Sequence, residues 1–528
     1  MTFTISFIVY TLFIIAVGLF SARYARRSDE DYFLAGRSLG PWVAALSASA
    51  SSESGWVTLG LVGWAFAFGY SAYWIIPGCL LGFIFNWFVV AGRLRDRSRA
   101  LESLTLPDFF AFNYRERYPI LRVLSVLVII VAMVLYVAAQ FGAAGKSFAA
   151  AFDNLNYQAG VLIGAAIVLA YVVLGGFRAA CWTDFIQALI MVGTLVVFPI
   201  YLIATTDGGF GGLRDTLTSA AEQADFTSFS AIDAGDPAAG EKMRGLLPPW
   251  IPQAAQASTA ALIGFLLGHG ALGINFGYPG QPHVLVRFKA LRERKEAVIG
   301  GVISCVWAIL IYWGAVTIGL IVRAKAIEGA PWAAVLEADL NPENLGAGDE
   351  GLVLAAKNLI EYGILSGLVL AAVLAAICST ADSQLVVATS SAANDLYSRL
   401  ADRQRRVAHL LVNRVTLVVL CVIAVLIVIG GEIPIFGFVL KHGWAVLGAS
   451  FGPQMILCLL WRRASYAGCV AGMAVGFTLA LAWPLIYDPQ ATGVEVYNLP
   501  LAFICAMVVN VLVSLAFPSK QPAEASTP

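Results

Sequence analysis

The chain is 528 residues long, 59% hydrophobic and only 12% charged, about half the charge density of an average soluble protein. Its 33 basic and 33 acidic residues cancel, which removes any electrostatic basis for binding nucleic acid or an acidic partner. Eight cysteines stand singly, without CxxC or Cys/His spacing, so neither a disulfide framework nor a zinc site is indicated. With a mean hydropathy of +0.79, this is the composition of an all-α polytopic membrane protein.

Roughly 20 apolar residues cross a bilayer as a helix, and about thirteen stretches qualify, centred near residues 12, 54, 80, 134, 166, 194, 265, 309, 375, 421, 448, 476 and 508. The first, Phe3 to Phe20, is followed by Arg23, Arg26 and Arg27 and has the character of a signal anchor rather than a cleaved peptide. Basic residues mark alternate connections: Arg23 to Arg37, Arg93 to Arg117, Arg178, Arg287 to Lys295, Arg399 to Arg406, and Arg462 with Arg463. Placing all of these in the cytoplasm puts the N-terminus outside and the C-terminus inside. The segments 205–254 and 323–360 are poor in Lys and Arg and are expected as external loops with room for short surface helices. The tail 518–528 is expected to be disordered in the cytoplasm.

Two spans are unlike the others. Residues 45–60, ALSASASSESGWVTLG, place five serines and Glu53 where a membrane helix should be apolar. Residues 264–282, GFLLGHGALGINFGYPGQP, are dense in glycine and proline. Unsatisfied polar groups are costly at this depth, so such segments are expected to line a wet cavity or bind something. They are the second and seventh spans, each opening a set of five. Because five is odd, the second set enters the membrane from the opposite side, the layout of an inverted repeat whose broken helices meet at the midplane. The expected division is 1–22 for an extra first span, 39–204 and 255–461 for the repeats, and 465–517 for two further spans, all within one transmembrane domain over 1–517.

Ionisable side chains within spans mark function: here Glu53, Asp184, His269 and Asp382, with Lys441 and His442 read as solvated near the external end of their span. Asp184 has two readings, a functional carboxylate or one that faces water near the cytoplasmic interface, and His269 and His283 are equally compatible with packing. An unwound turn beside Glu53 would free carbonyls such as that of Ala50. In the ninth span Ser379, Asp382 and Ser383 share one helical face, with Thr380 beside them. Oxygen ligands without soft partners suit a hard cation, and sodium is the expected coupling ion.

The segments DYFLAGRSLGPWVAALSA (31–48), SGW (54–56), LTLPDFF (104–110), GGFRAACWTDFIQA (175–188), GQPHVLVRF (280–288), LAAICST (374–380), NDLYSR (394–399) and FGP (451–453) together resemble the sodium/solute symporter family, in particular its bacterial sodium/proline branch. The resemblance implies a LeuT-type 5+5 core, sodium-coupled import by alternating access, and residence in a bacterial cytoplasmic membrane. It also implies a sodium site from the carbonyls of Ala50, Glu53 and Ala376 and the hydroxyls of Ser379 and Thr380. The substrate residues it implies are Ser54, Gly55, Trp56, Tyr136, Tyr278 and Pro282, and a second sodium would use Asp184, Asp382 and Ser383, with Ser379 shared. No catalytic residue or organic cofactor is expected.

Departures from the branch are equally specific. Ser52 stands where it places an aspartate, the carboxylate having moved to Glu53; Ile274 replaces a tryptophan; and Lys441–His442 replaces smaller or aromatic residues. Proline or a related amino acid is the expected solute. Another amino acid, a carboxylate or a sugar, or proton coupling through Glu53, is the alternative within transport. A membrane sensor using the same fold is the alternative outside it. Partners beyond solute, sodium and lipid are not indicated, and oligomeric state is open.

Overall fold

A computed structural model describes residues 2–21, 29–206, 208–222, 259–268, 270–338, 346–360, 362–398, 406–487 and 496–518; His269, most of 205–254 and the tail beyond Pro518 lie outside them. Among the described residues the structure is helical, with one isolated bridge between Leu39 and Leu291 in place of any sheet. Nine helices among the described residues are long and apolar enough to cross a membrane, with shorter apolar helices at Ile5–Val17 and Tyr157–Ala170. Large apolar side chains point outward along them, among them Leu12, Leu162, Val197, Val302, Leu426 and Leu512. A surface of this kind is stable against acyl chains, not water, and the protein is a multi-pass membrane protein.

The first interrupted span begins at Pro41, whose fixed φ and missing N–H suit a first helical turn. The helix Pro41–Ser52 stops as Glu53 turns out to φ −99°, ψ 81°. Helix resumes through a wide π-type turn, Trp56–Leu61, into Val62–Phe68. The second interruption follows the same logic with different residues. Thr259–Leu266 gives way to a 3₁₀ segment, Leu272–Gly280, then extended backbone at Gln281, and Pro282 opens the helix Pro282–Lys289. Gly277 permits this path, because a Cβ there would stand 1.9 Å from the indole nitrogen of Trp444.

The predicted centres at 166 and 194 fall on one run, Tyr157–Thr205, divided by Gly176 at φ 63°, ψ −172°. That region is essentially closed to residues with a Cβ. The segment 323–360 does carry short helices, Pro331–Ala338 and Gly351–Leu359, while the helix Glu296–Ile327 runs on into its start.

Two buried ionic networks sit at opposite ends of the helix Ile120–Ala151. At its start Arg122 Nη1 is 2.6 Å from both Asp108 and Asp395, with its Nε 3.1 Å from Glu116. Near its end Lys146 is 3.0 Å from Asp349, whose Oδ2 also accepts the Ile435 N–H at 3.0 Å. Removal of one member of such a pair leaves a buried charge alone and costs several kcal/mol.

The hinge is testable. Gly176→Ala is expected to lower stability by about 1–3 kcal/mol through backbone strain. Gly193→Ala, in the same run with nothing within 4 Å of the added Cβ, should be neutral or slightly stabilising. Thermal unfolding of the two variants in detergent measures the difference.

Candidate ion and substrate site

The unwinding at Glu53 has an immediate polar consequence. Helix ends leave backbone carbonyls without intrahelical partners, and here side chains of the helix Gly363–Ser390 meet them. Ser379 Oγ donates to the Ala50 carbonyl at 2.9 Å and to that of Ala376 at 3.2 Å. Thr380 Oγ1 donates to Ser51 O at 3.1 Å and reaches Ala50 O at 3.4 Å. Ala50, Ala376, Ser379 and Thr380 are thus gathered in one fully buried cluster. Its oxygens are neutral, a donor set that would suit a hard monovalent cation better than a divalent or soft one. Glu53 follows a different course: its carboxylate turns away from the hydroxyls, with Oε1 accepting from Ser52 at 2.9 Å and Tyr278 at 3.3 Å.

Asp184 is buried, which overturns the reading that it faces water. Its Oδ2 accepts from Ser47 at 2.7 Å and Ser51 at 3.1 Å, and Ser383, 3.4 Å away, bonds to Ser51 at 3.0 Å and to Asp382 at 3.0 Å. The cation within this cluster is Arg287. Its Nη2 is 2.8 Å from Asp184 and 2.5 Å from Ser383, its Nε donates to Ser47 at 3.0 Å, and Nη1 donates to the carbonyl of His283. The guanidinium also lies over the Phe177 ring at 5.1 Å.

Arg287 and Lys289 therefore depart from the expectation of a basic cytoplasmic loop, since both are buried. Lys289 donates to the carbonyls of Leu104 and Thr105 at 3.0 and 2.7 Å. They read as loop residues because positive charge after an apolar run is the usual mark of the membrane boundary. The last turn of a broken helix carries its charges inward instead.

The expected substrate residues divide into groups. Gly55 N–H donates to Gln140 Oε1 at 3.0 Å, and Gln140 Nε2 to Ser54 Oγ at 3.2 Å; the Trp56 N–H also meets Ser54 Oγ at 3.2 Å. Trp56 packs 6.0 Å from Tyr312 and 5.9 Å from Phe436, with Trp64 stacked on Phe436 at 4.9 Å. Tyr278 stands edge-on to Trp444 at 4.7 Å, and its hydroxyl is 3.0 Å from that of Tyr312. Tyr136 faces the His283 ring at 6.1 Å, so His283 acts here as a packing partner. Pro282 lines a separate cavity of about 20 Å³, shared with Phe33, Leu104, Phe177, Lys289 and Ser390.

At Ile274, the position read as departing from the proline branch, the backbone carbonyl accepts the indole N–H of Trp444 at 3.0 Å. Lys441 and His442 lie half-exposed on a π-type turn, Val439–Trp444, His442 packing on Phe438 at 4.9 Å.

Gln140, Tyr312, Trp444 and Arg287 escaped the reading of the sequence. Gln140 carried the one usable signal, an amide in the middle of a long apolar helix. The two aromatics look like ordinary membrane residues until the fold brings them to the breaks.

A buried polar centre between two interrupted helices, inside a bundle whose outer surface suits lipid, defines a membrane transporter. Residues 32–476 match the sodium:solute symporter family, and the chain belongs to that family. The osmoregulated proline transporter OpuE of Bacillus subtilis is 32% identical to it, over 99% of this chain and 96% of its own length. The sodium/proline symporters of Salmonella typhimurium and Escherichia coli are also 32% identical, over 97% and 91% of this chain and 92% and 87% of their own lengths. A Na+-coupled sialic acid symporter, solved substrate-bound and outward-open, shares the fold with a TM-score of 0.75 at 18% identity, covering 99% of both chains.

The Arg287–Asp184 pair gives a stability prediction. Asp184→Ala strands a buried guanidinium and is expected to cost about 3–5 kcal/mol, whereas Asp184→Leu combined with Arg287→Met should recover most of it. Thermal unfolding of both in sodium-free detergent measures this; equal losses would show that the pair is not coupled.

Proposed function

We propose that this protein imports a small organic solute, proline or a related amino acid, together with sodium by alternating access. The observation that carries this reading is the Ala50–Ala376–Ser379–Thr380 cluster, an uncharged oxygen site joining the end of one broken helix to a continuous neighbour. Sodium there bridges the helix Pro41–Ser52 to the helix Gly363–Ser390, holds the break in one shape, and so favours the form that binds solute. The Glu53 carbonyl completes the proposed ligand set. Each charge carried inward at about 100 mV contributes roughly 2.3 kcal/mol. The relatives named for proline transport support the solute class, and the amides and hydroxyl of Ser54, Gly55 and Trp56 with the rings of Tyr136 and Tyr278 form its proposed seat.

The architecture proposed with it is a LeuT-type 5+5 inverted repeat of thirteen transmembrane helices, N-terminus outside and C-terminus inside, in a bacterial cytoplasmic membrane. The repeats are 39–204 and 255–461, with 1–22 and 465–517 outside them. A second sodium at Asp184, Asp382 and Ser383 requires the Arg287 guanidinium to withdraw from Ser383 and Asp184. The number of ions per cycle thus depends on that side chain. Buried Glu53 favours a second reading, a proton as coupling ion.

Uptake of labelled proline into proteoliposomes should require inward sodium, and sodium-independent accumulation rejects the proposal. Accumulation driven by a pH gradient alone selects the proton reading. Ser379→Ala and Thr380→Ala should each raise the sodium concentration for half-maximal uptake about tenfold, the effect of one lost oxygen ligand.

A further inference from the structure

Glu53 is fully buried, and its carboxylate is only half satisfied. Oε1 has the Ser52 and Tyr278 hydroxyls; Oε2 has no hydrogen-bond partner among the described residues. An ionised carboxylate accepts several hydrogen bonds, and leaving it unpaired at low dielectric is costly. The buried cations of the core are engaged elsewhere, Arg287 with Asp184 and Ser383, and Lys146 with Asp349 and the Gly346 carbonyl. Ser379 and Thr380 bond to the Ala50, Ser51 and Ala376 carbonyls, so the ion cluster and the Glu53 carboxylate are separate features on two sides of the same break.

The surroundings of Glu53 have a chemistry of their own. Tyr278 joins it to Tyr312 through their hydroxyls. Tyr278 is packed by Trp444 and by Phe83 at 5.0 Å, and Tyr312 by Trp56. Aromatic faces around one carboxylate favour a cation by both Coulomb attraction and ring quadrupoles. On the other side of Glu53, the Gly55 and Trp56 amides open the resumed helix, a terminus that favours negative charge; here they are held by Gln140 Oε1 and Ser54 Oγ, neutral acceptors that an anionic group can replace. The break thus presents an acceptor for positive charge and donors for negative charge within a few residues.

We propose that Glu53 is the counter-ion of the transported solute's nitrogen, and that the pocket selects solutes whose ammonium group carries N–H. The proposal rests on the symporter reading above and deepens it: Oε2 takes an N–H from the solute, while the solute's carboxylate replaces Gln140 Oε1 and Ser54 Oγ on the Gly55 and Trp56 amides. A quaternary ammonium has the charge but no hydrogen to donate, and a plain carboxylate meets Glu53 with like charge. Both bind more weakly than the corresponding amino acid.

The test uses wild-type protein in proteoliposomes with an inward sodium gradient and labelled proline, lysine, glycine betaine, pyruvate and glucose. The expected result is uptake confined to proline, lysine or both, with N,N-dimethylproline at least about 30-fold weaker than proline as a competitor, the effect of losing a charge-assisted hydrogen bond. Glu53→Gln should raise the half-saturating solute concentration by a similar factor while leaving that of sodium within about twofold, and Glu53→Asp should recover part of the loss. Uptake of pyruvate, glucose or betaine in preference to both amino acids overturns the proposal, as does no uptake of either amino acid, or a Glu53→Gln variant of unchanged solute affinity. Ammonium-selective uptake that ignores sodium upholds it while rejecting the symporter reading, so the two fail separately. The competition with N,N-dimethylproline needs no variant and holds even if Glu53→Gln does not fold.

Discussion

One guanidinium organises the centre of this protein. Arg287 starts on the second broken helix, reaches Ser47 on the first, Asp184 on the long run Tyr157–Thr205, and Ser383 on Gly363–Ser390. Helices in a membrane gain little from burying apolar surface against one another. A fixed charge with partners on several helices then sets their relative positions more strongly than any hydrophobic contact. Interrupted helices need such a clamp, because each half has lost the continuity that would otherwise fix its direction.

The same clamp separates two tasks that share the serine-rich segment. Ser47 and Ser51 face Asp184 and Arg287, the Ala50 carbonyl faces Ser379 and Thr380, and Glu53 faces Tyr278. Successive residues thus serve a structural ion pair, an oxygen cluster and an aromatic pocket. The helical rotation of about 100° per residue makes this possible, and the unwinding at Glu53 releases the last of the three from the helix.

Much of this was legible in the sequence. Serines and a carboxylate at bilayer depth identified the first break and glycine and proline the second, and the i, i+3, i+4 spacing put Ser379, Asp382 and Ser383 on one face, because helical geometry is local. Charge was the less readable part. Arg287 and Lys289 follow an apolar stretch, as membrane-boundary residues do, and only the path of the preceding 3₁₀ segment turns them inward. Tyr312 lies 34 residues after Tyr278 and Trp444 much further along the chain, and nothing local distinguishes them from other membrane aromatics. The roles of Ser52 and Glu53 also exceed local information. The displaced carboxylate was visible, but which side of the break it faced depended on Tyr278 arriving from the other half of the chain.

The helix Ile120–Ala151 carries Arg122 near one end and Lys146 near the other, about 36 Å apart at 1.5 Å per residue. The hydrocarbon layer is about 30 Å thick, so a helix crossing it upright would carry one buried ionic network near each face. The helix is in effect a gauge of its membrane. A thinner bilayer brings water toward both networks and a thicker one draws them into hydrocarbon. Lipid chain length would therefore bear on the dielectric around each network, and so on how much each contributes to holding its helices together.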